Sequence, residues 1–188
     1  MNNNVVFVCH CILNQSTRAW WGTGGASRVE GYMKDVITTL GNHGVGIIQM
    51  ECPEYSLHGN PRPPKSKEDY DTPHFKQKCR EIAEITVQKI LDFNSKGDVY
   101  PVNVLAILGV EGSPSCGVER TPRTNENGTA STEGKGHLME ILAALLHKNK
   151  LGIPILGVSL RGGENKIKLR KLETLLQESI QSFQSSGY

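Results

Sequence analysis

Three cysteines stand at equivalent places along this chain, each at the end of a strongly apolar run. Cys11 and Cys52 each close such a run. Cys116 stands in the turn 111–117, which follows a third run and is rich in glycine, proline and serine. Apolar runs of this length are typical of buried strands. The sequence therefore predicts three strands that each deliver one thiol at the carboxyl end.

Three thiolates leave one position open on either a tetrahedral zinc ion or a cubane iron–sulfur cluster. Soft sulfur ligands suit both centres. An open position indicates chemistry, because a structural zinc site normally closes with four protein ligands. The long spacing between the cysteines does not decide between the two metals. Cys79, inside a helical run, and Cys9 are interpreted as small buried hydrophobes, although Cys9 would share a strand face with Cys11 and lie near the site.

The elements that position these thiols follow from hydrophobic periodicity. Nearly continuous apolar runs predict strands covered on both faces, as in a parallel sheet, at residues 4–10, 45–51, 102–110 and 153–160. Apolar residues at helical spacing predict helices at 28–41, 73–94, 137–148 and 164–183. Thr72 is the expected N-cap of the second helix, with Pro73 at its first position. The alternation predicts one α/β domain with a three-layer, open, doubly wound, mainly parallel Rossmann-like sheet.

Long loops are predicted directly after each strand that bears a cysteine, at about 12–27, 52–72 and 117–136. Long loops in compact domains are usually functional or disordered. In open α/β sheets, ligands bind outside the carboxyl ends of the strands. We therefore expect the three loops to surround one crevice with the three thiols at its floor.

Composition limits the partners and the compartment. A hydrophobic content of 37%, a charged content of 21% and a net charge of +2 are those of an ordinary soluble domain. No basic face predicts a nucleic-acid partner, and no apolar run approaches the roughly 18 residues that a membrane span needs. The start of the chain lacks the basic region of a signal peptide. Five cysteines, an odd number, then indicate cytoplasmic thiols rather than a disulfide framework.

At these residues the chain resembles the thiouracil desulfurase family of iron–sulfur enzymes, formerly a domain of unknown function. The block Ser113–Gly117 is the most specific part of the resemblance. The resemblance covers roughly residues 5–160, and the order and spacing of its blocks add to the specificity. The other blocks that carry it are Cys11-Ile12-Leu13, Cys52-Pro53-Glu54, Pro61-Arg62, Asp71-Thr72 with Phe75, and Gly134-Lys135-Gly136.

The resemblance implies a [4Fe-4S] cluster held by Cys11, Cys52 and Cys116, with one iron left open. It implies that the enzyme removes sulfur as hydrosulfide from a thiocarbonyl or thiolated small molecule resembling thiouracil. Oxygen from water replaces the sulfur, without net redox change. Residues 14–21 and 56–60 depart from the family's pattern. The walls of the pocket are therefore expected to differ, and the substrate can be another sulfur-bearing small molecule.

The resemblance also implies a serine and a glutamate that move protons beside the cluster. The serine corresponds to Ser113. The glutamate's usual position, three residues before the middle cysteine, holds Gln49, whose amide cannot transfer a proton as a carboxylate does. Our hypothesis is that Glu51 or Glu54 supplies the carboxylate. Three residues are predicted to bind the substrate: Gln49, Arg62 and Ser115.

Two other functions use the same thiols. The first is a zinc hydrolase or deaminase, in which three thiolates hold the ion and a water takes the open position. The second is a carrier of sulfur or metal, or a redox sensor, without turnover. Brown colour after anaerobic purification distinguishes a cluster from zinc. Release of sulfide from a thiolated base or thioamide distinguishes an enzyme from a carrier.

Overall fold

The structure is a computed structural model that describes residues 3–19, 31–95, 102–126, 128–160 and 162–185. Within these ranges the strands are β1 (Asn4–Cys9), β2 (Gly46–Met50), β3 (Asn103–Val110), β4 (Arg120–Asn125), β5 (Gly128–Glu133) and β6 (Ile155–Val158). The helices are α1 (His10–Leu13), α2 (Lys34–Asn42), α3 (Pro53–His58), α4 (Pro73–Ser95), α5 (His137–Lys148) and α6 (Gly162–Ser185). Glu68–Tyr70 forms a short 3-10 turn. None of the helices described is long and apolar enough to cross a membrane.

Four parallel strands form the central sheet in the order β2-β1-β3-β6. The chain moves from β1 to β2 on one side and then crosses to β3 on the other side of β1. The strand order therefore reverses between β1 and β3, which is the switch point where open α/β sheets bind ligands. The predicted doubly wound parallel sheet is confirmed.

Helices cover both faces of the sheet and complete three layers. On one face α4 packs against α5, and on the other α2 packs against α6. β1 and β3 are buried along nearly their whole length, which explains why their sequences are continuously apolar rather than alternating. Each fully buried aliphatic side chain in this core contributes about 1.5–3 kcal/mol. The ends of β1 and β3 thus lie within the buried core.

Several predicted boundaries differ from the structure. β1 ends at Cys9, and Cys11 lies in the helical turn α1, so the two thiols do not share a strand face. The second predicted loop contains α3 and the 3-10 turn. Residues 20–30, which include the end of the first predicted loop and the start of the first predicted helix, lie outside the described residues. The helix α2 begins at Lys34.

The prediction of a loop at 117–136 was wrong, because β4 and β5 form an antiparallel hairpin within these residues. The hairpin is polar and largely exposed on both faces, so it has no hydrophobic alternation that could reveal it. Backbone pairing and a hydroxyl contact of 2.7 Å between Thr124 and Thr129 hold it together. Glu68 ties it to the 3-10 turn by an ion pair with Arg123 at 2.9 Å.

The N-cap predicted for α4 is confirmed, since the hydroxyl of Thr72 accepts the N–H of Phe75 at 3.2 Å. Thr72→Ala removes this acceptor and is expected to lower the free energy of unfolding by about 1 kcal/mol. Thr72→Ser keeps the acceptor and is the matched control, with little expected change. Urea denaturation followed by circular dichroism measures both. Equal midpoints for Thr72→Ala and the wild type would contradict the capping role.

Candidate active site

A cavity of about 220 Å³ opens among the residues that follow β1, β2 and β3. Cys11, Cys52 and Cys116 all line it. The predicted crevice with three thiols in its wall is therefore present at the switch point of the sheet. Four other predicted site residues line the same cavity: Glu54, Arg62, Ser113 and Ser115.

The thiols interact in pairs. Cys11 is hydrogen bonded to Cys52, and this bond together with burial raises the pKa of Cys11. The same bond, assisted by the backbone N–H of Tyr55 at 3.4 Å, lowers the pKa of Cys52. Cys116 is hydrogen bonded to Cys9, and that bond and burial raise the pKa of Cys116. Cys9 is therefore adjacent to the candidate site through its contact with Cys116. Cys79 is fully buried in the core, as predicted.

The donor set fits a soft, positively charged centre. Repulsion from the charges of Cys52 and Cys116 contributes to the raised pKa of Cys11, so three thiolates together would need a cation between them. Among the described residues, no group of three or more His, Cys, Asp or Glu side chains is arranged so that it could hold a metal ion.

Glu54 is one of three acidic residues that line the cavity, the others being Asp69 and Glu111, and it is 8% exposed. The hydroxyl of Ser115 donates to Glu54 Oε1 at 2.6 Å, and that of Ser113 donates to the same oxygen at 3.4 Å. Arg62 lies 3.6 Å from the other oxygen, Glu54 Oε2. Ser115 Oγ also lies 3.5 Å from the sulfur of Cys116. Two hydroxyls thus connect a buried carboxylate to the wall that carries a thiol.

Arg62 is held by the protein itself. Its Nη1 donates to the carbonyl oxygens of Thr17 at 2.6 Å and Gly59 at 3.1 Å, and to the side chain of Asn60 at 3.2 Å. The residue is buried, and its Nε has no hydrogen-bond partner among the described residues. The guanidinium is thus held through Nη1 by backbone carbonyls, while its Nη2 pairs with the carboxylate of Glu54. Its predicted contact with substrate stays a prediction.

Gln49 and Glu51 are not among the residues that line the cavity, and their predicted roles stay predictions. Both are exposed, whereas Met50 and Cys52, which alternate with them along the chain, are buried. The two side chains do share a face, but that face points outward from the edge strand β2. Gln49 donates its amide to His10 Nδ1 at 2.8 Å. Glu51 pairs with Lys78 at 3.0 Å and accepts the hydroxyl of Ser56.

The turn 111–117 is fixed by its own backbone and by α5. Ser113 Oγ accepts the N–H of Cys116 at 3.0 Å. The first N–H groups of α5, those of His137 and Leu138, donate to the carbonyls of Pro114 and Ser115 at 3.0 Å each. The helix therefore satisfies its otherwise unpaired donors with the turn that carries the thiol.

Sequence reasoning missed the far wall of the cavity. There, Asp69 accepts the backbone N–H of Ser66 at 2.7 Å and its hydroxyl at 2.9 Å. No chemical motif marks Ser66 and Asp69 in the sequence. Two other lining residues, Pro122 and Thr129, belong to the hairpin of β4 and β5, which the sequence did not reveal. The additional lining residues include Arg18, Lys65, Ser66, Asp69, Pro122 and Thr129.

Comparisons with known proteins give one family and two relatives. The sequence model of a family described as "Putative 2-thiouracil desulfurase" matches residues 6–132. The uncharacterized protein MJ0003 of Methanocaldococcus jannaschii is 32% identical over 114 residues, which cover 61% of this chain and 67% of that one. A solved structure described as a [4Fe-4S]-dependent thiouracil desulfidase, TudS, aligns with a TM-score of 0.47 and 24% identity, covering 81% of this chain and 89% of that one.

Gly136 allows α5 to approach the turn. A Cβ at this position would lie 2.4 Å from the carbonyl carbon of Ser115 and 2.8 Å from the oxygen of Pro114. Because both atoms belong to the backbone of the turn, Gly136→Ala is expected to lower the free energy of unfolding by about 1–3 kcal/mol.

Gly41→Ala is the matched control, because a Cβ on Gly41 in α2 has no neighbour within 4 Å. Alanine is the better helix former there and is expected to stabilise by about 0.5–1 kcal/mol. Urea denaturation of both variants measures the difference. A Gly136→Ala protein as stable as the wild type would show that the turn and α5 are not in close contact.

Proposed function

We propose, because this chain belongs to the 2-thiouracil desulfurase family, that it is an iron–sulfur desulfurase acting on a thiocarbonyl small molecule. One observation carries the proposal: the three thiols line one cavity together with the buried carboxylate of Glu54 and the hydroxyls of Ser113 and Ser115. The reaction exchanges thiocarbonyl sulfur for the oxygen of water. One water is consumed, one hydrogen sulfide is released, and no electrons are gained or lost.

The thiols suited to hold a [4Fe-4S] cluster are those of Cys11, Cys52 and Cys116. When bound, such a cluster supplies an iron without a protein ligand, which is a soft Lewis acid for thiocarbonyl sulfur. The segments that follow β1, β2 and β3 carry these thiols, and all three line one cavity, which supports the proposal. The hydrogen-bonded pair of Cys11 and Cys52 makes one of these thiols easier to ionise than an isolated cysteine, because the pKa of Cys52 is lowered.

Glu54 is the proposed general base and acid. It accepts hydrogen bonds from Ser113 and Ser115 and is paired with Arg62. Glu54 Oε1 can take a proton from the attacking water, directly or through the hydroxyl of Ser113, and return it to the departing sulfur. Arg62, bound on its other side to backbone carbonyls, keeps the carboxylate oriented. These assignments keep Glu54 and Ser113 as catalytic residues and leave Glu51 without a role in the cavity.

Cluster binding is tested by single Cys→Ser substitutions at the three proposed ligands, with Cys79→Ser as the control. After anaerobic reconstitution we expect the wild type and Cys79→Ser to be brown and to contain iron and acid-labile sulfide in equal amounts. Each ligand variant should lose most of both, because a thiolate is replaced by a poor ligand for iron. A colourless wild type with stoichiometric zinc would overturn the proposal in favour of the zinc hydrolase.

The carboxylate is tested by comparing Glu54→Gln with Glu51→Gln in reconstituted enzyme. Glu54→Gln is expected to lower kcat for sulfide release from 2-thiouracil by about 10²–10⁴-fold, the usual contribution of a general acid–base. Glu51→Gln should retain turnover near the wild-type value, since Glu51 is paired with Lys78 outside the cavity. Iron content is measured in both proteins. Wild-type turnover in Glu54→Gln would remove Glu54 from the mechanism.

A further inference from the structure

Glu111 is a buried carboxylate that the proposed chemistry does not use. It follows β3 directly, begins the turn that contains Ser113 and Cys116, and lines the same cavity as they do. Its Oε2 accepts the backbone N–H groups of Val118 at 3.4 Å, Glu119 at 3.1 Å and Arg120 at 2.9 Å. A carboxylate on the first residue of the turn therefore holds the backbone that leaves the turn.

Lys168 balances this buried charge from the C-terminal helix α6. Its Nζ donates to Glu111 Oε1 at 3.2 Å and to Glu119 Oε2 at 2.5 Å. The side chain of Lys168 is 9% exposed and that of Glu111 is 3% exposed. A buried carboxylate that loses its cation is strongly destabilised, because neither water nor another charge replaces the partner.

The packing leaves the Glu111 carboxylate little freedom to move. A Cβ on Gly157 in β6 would lie 1.7 Å from Glu111 Oε1, so the carboxylate lies directly against this strand. The N–H of Gly112 also donates to the carbonyl of Arg120 at 3.0 Å. The two ends of the turn are thus joined by both side-chain and backbone bonds.

We propose that Glu111 and Lys168 are positioning residues that hold Cys116 and Ser113 in place in the cavity. The pair links α6 to the turn that carries both residues. Its effect on turnover rests on the proposed function, whereas its effect on the placement of Cys116 does not.

The test compares Lys168→Met with Lys171→Met in protein prepared without a cluster. Lys171 lies on the same helix, but its side chain is exposed and its Nζ comes no closer to Glu119 than 4.0 Å. Its loss should therefore leave the alkylation rate of Cys116 unchanged. The measurement is the alkylation rate of Cys116 by N-ethylmaleimide, read by peptide mass spectrometry with Cys79 as an internal reference. Lys168→Met should raise the rate of Cys116 relative to Cys79 by roughly tenfold or more, because the unpaired carboxylate opens the turn.

The double variant Glu111→Gln with Lys168→Met separates positioning from general stability. The glutamine oxygen can replace Oε2 as acceptor for the backbone N–H groups, and a neutral amide does not need a cation. Alkylation of Cys116 should therefore return to within about threefold of the wild type. If Lys168→Met does not fold, folding and slow alkylation of the double variant support the proposal, and failure of the double variant overturns it.

Two further results would overturn the proposal. One is unchanged reactivity of Cys116 in a folded Lys168→Met protein. The other is an equal increase for Cys116 and Cys79, which would show only general destabilisation. Sulfide release is then measured on reconstituted protein. A wild type that releases no sulfide would refute the proposed function while leaving the alkylation result intact, and an active wild type with no effect of Lys168→Met on Cys116 would refute the positioning role alone.

Discussion

The parallel pairing of β1 with both β2 and β3 is the constraint on which the candidate site depends. Cys9 at the end of β1 is in register with Met50 at the end of β2, and Val8 is in register with Leu108 near the end of β3. Neighbouring strands lie about 4.8 Å apart, so the segments that continue from these ends must emerge side by side. Thiols that are remote in sequence meet because the sheet aligns the ends of their strands.

Two buried ion pairs then contact the segments that carry the candidate site. Glu54 with Arg62 lines the cavity, and Glu111 with Lys168 joins the thiol-bearing turn to α6. Buried pairs contribute little net stability compared with apolar packing, but removal of one partner is costly. Such pairs therefore favour one arrangement of the turn over others. The sheet supports the loops, and the two ion pairs hold these loops in one arrangement on the sheet.

The sequence was sufficient for the sheet and for the three thiol positions because buried parallel strands are continuously apolar and end where polarity begins. It was insufficient where structure depends on backbone pairing or on the direction of a side chain. The hairpin formed by β4 and β5 has no apolar face to reveal it, and a one-residue alternation decided that Glu51 points out of the cavity while Cys52 lines it. Arg62 was found by its motif, but its bonds to backbone carbonyls follow from distant loops that no local pattern describes.

The position of Gln49 gives the departure from the family's pattern a physical meaning. In this fold residue 49 lies on the exposed face of an edge strand, where its amide holds the ring of His10 beside the first thiol. A carboxylate there would face His10 rather than the cavity, because Met50 and Cys52 occupy the inward face. Glu54, two residues after the middle thiol, instead enters the cavity from the first turn of α3 and meets both serines. A glutamine at position 49 therefore still leaves a buried carboxylate in the cavity, and it comes from the helix that follows the strand.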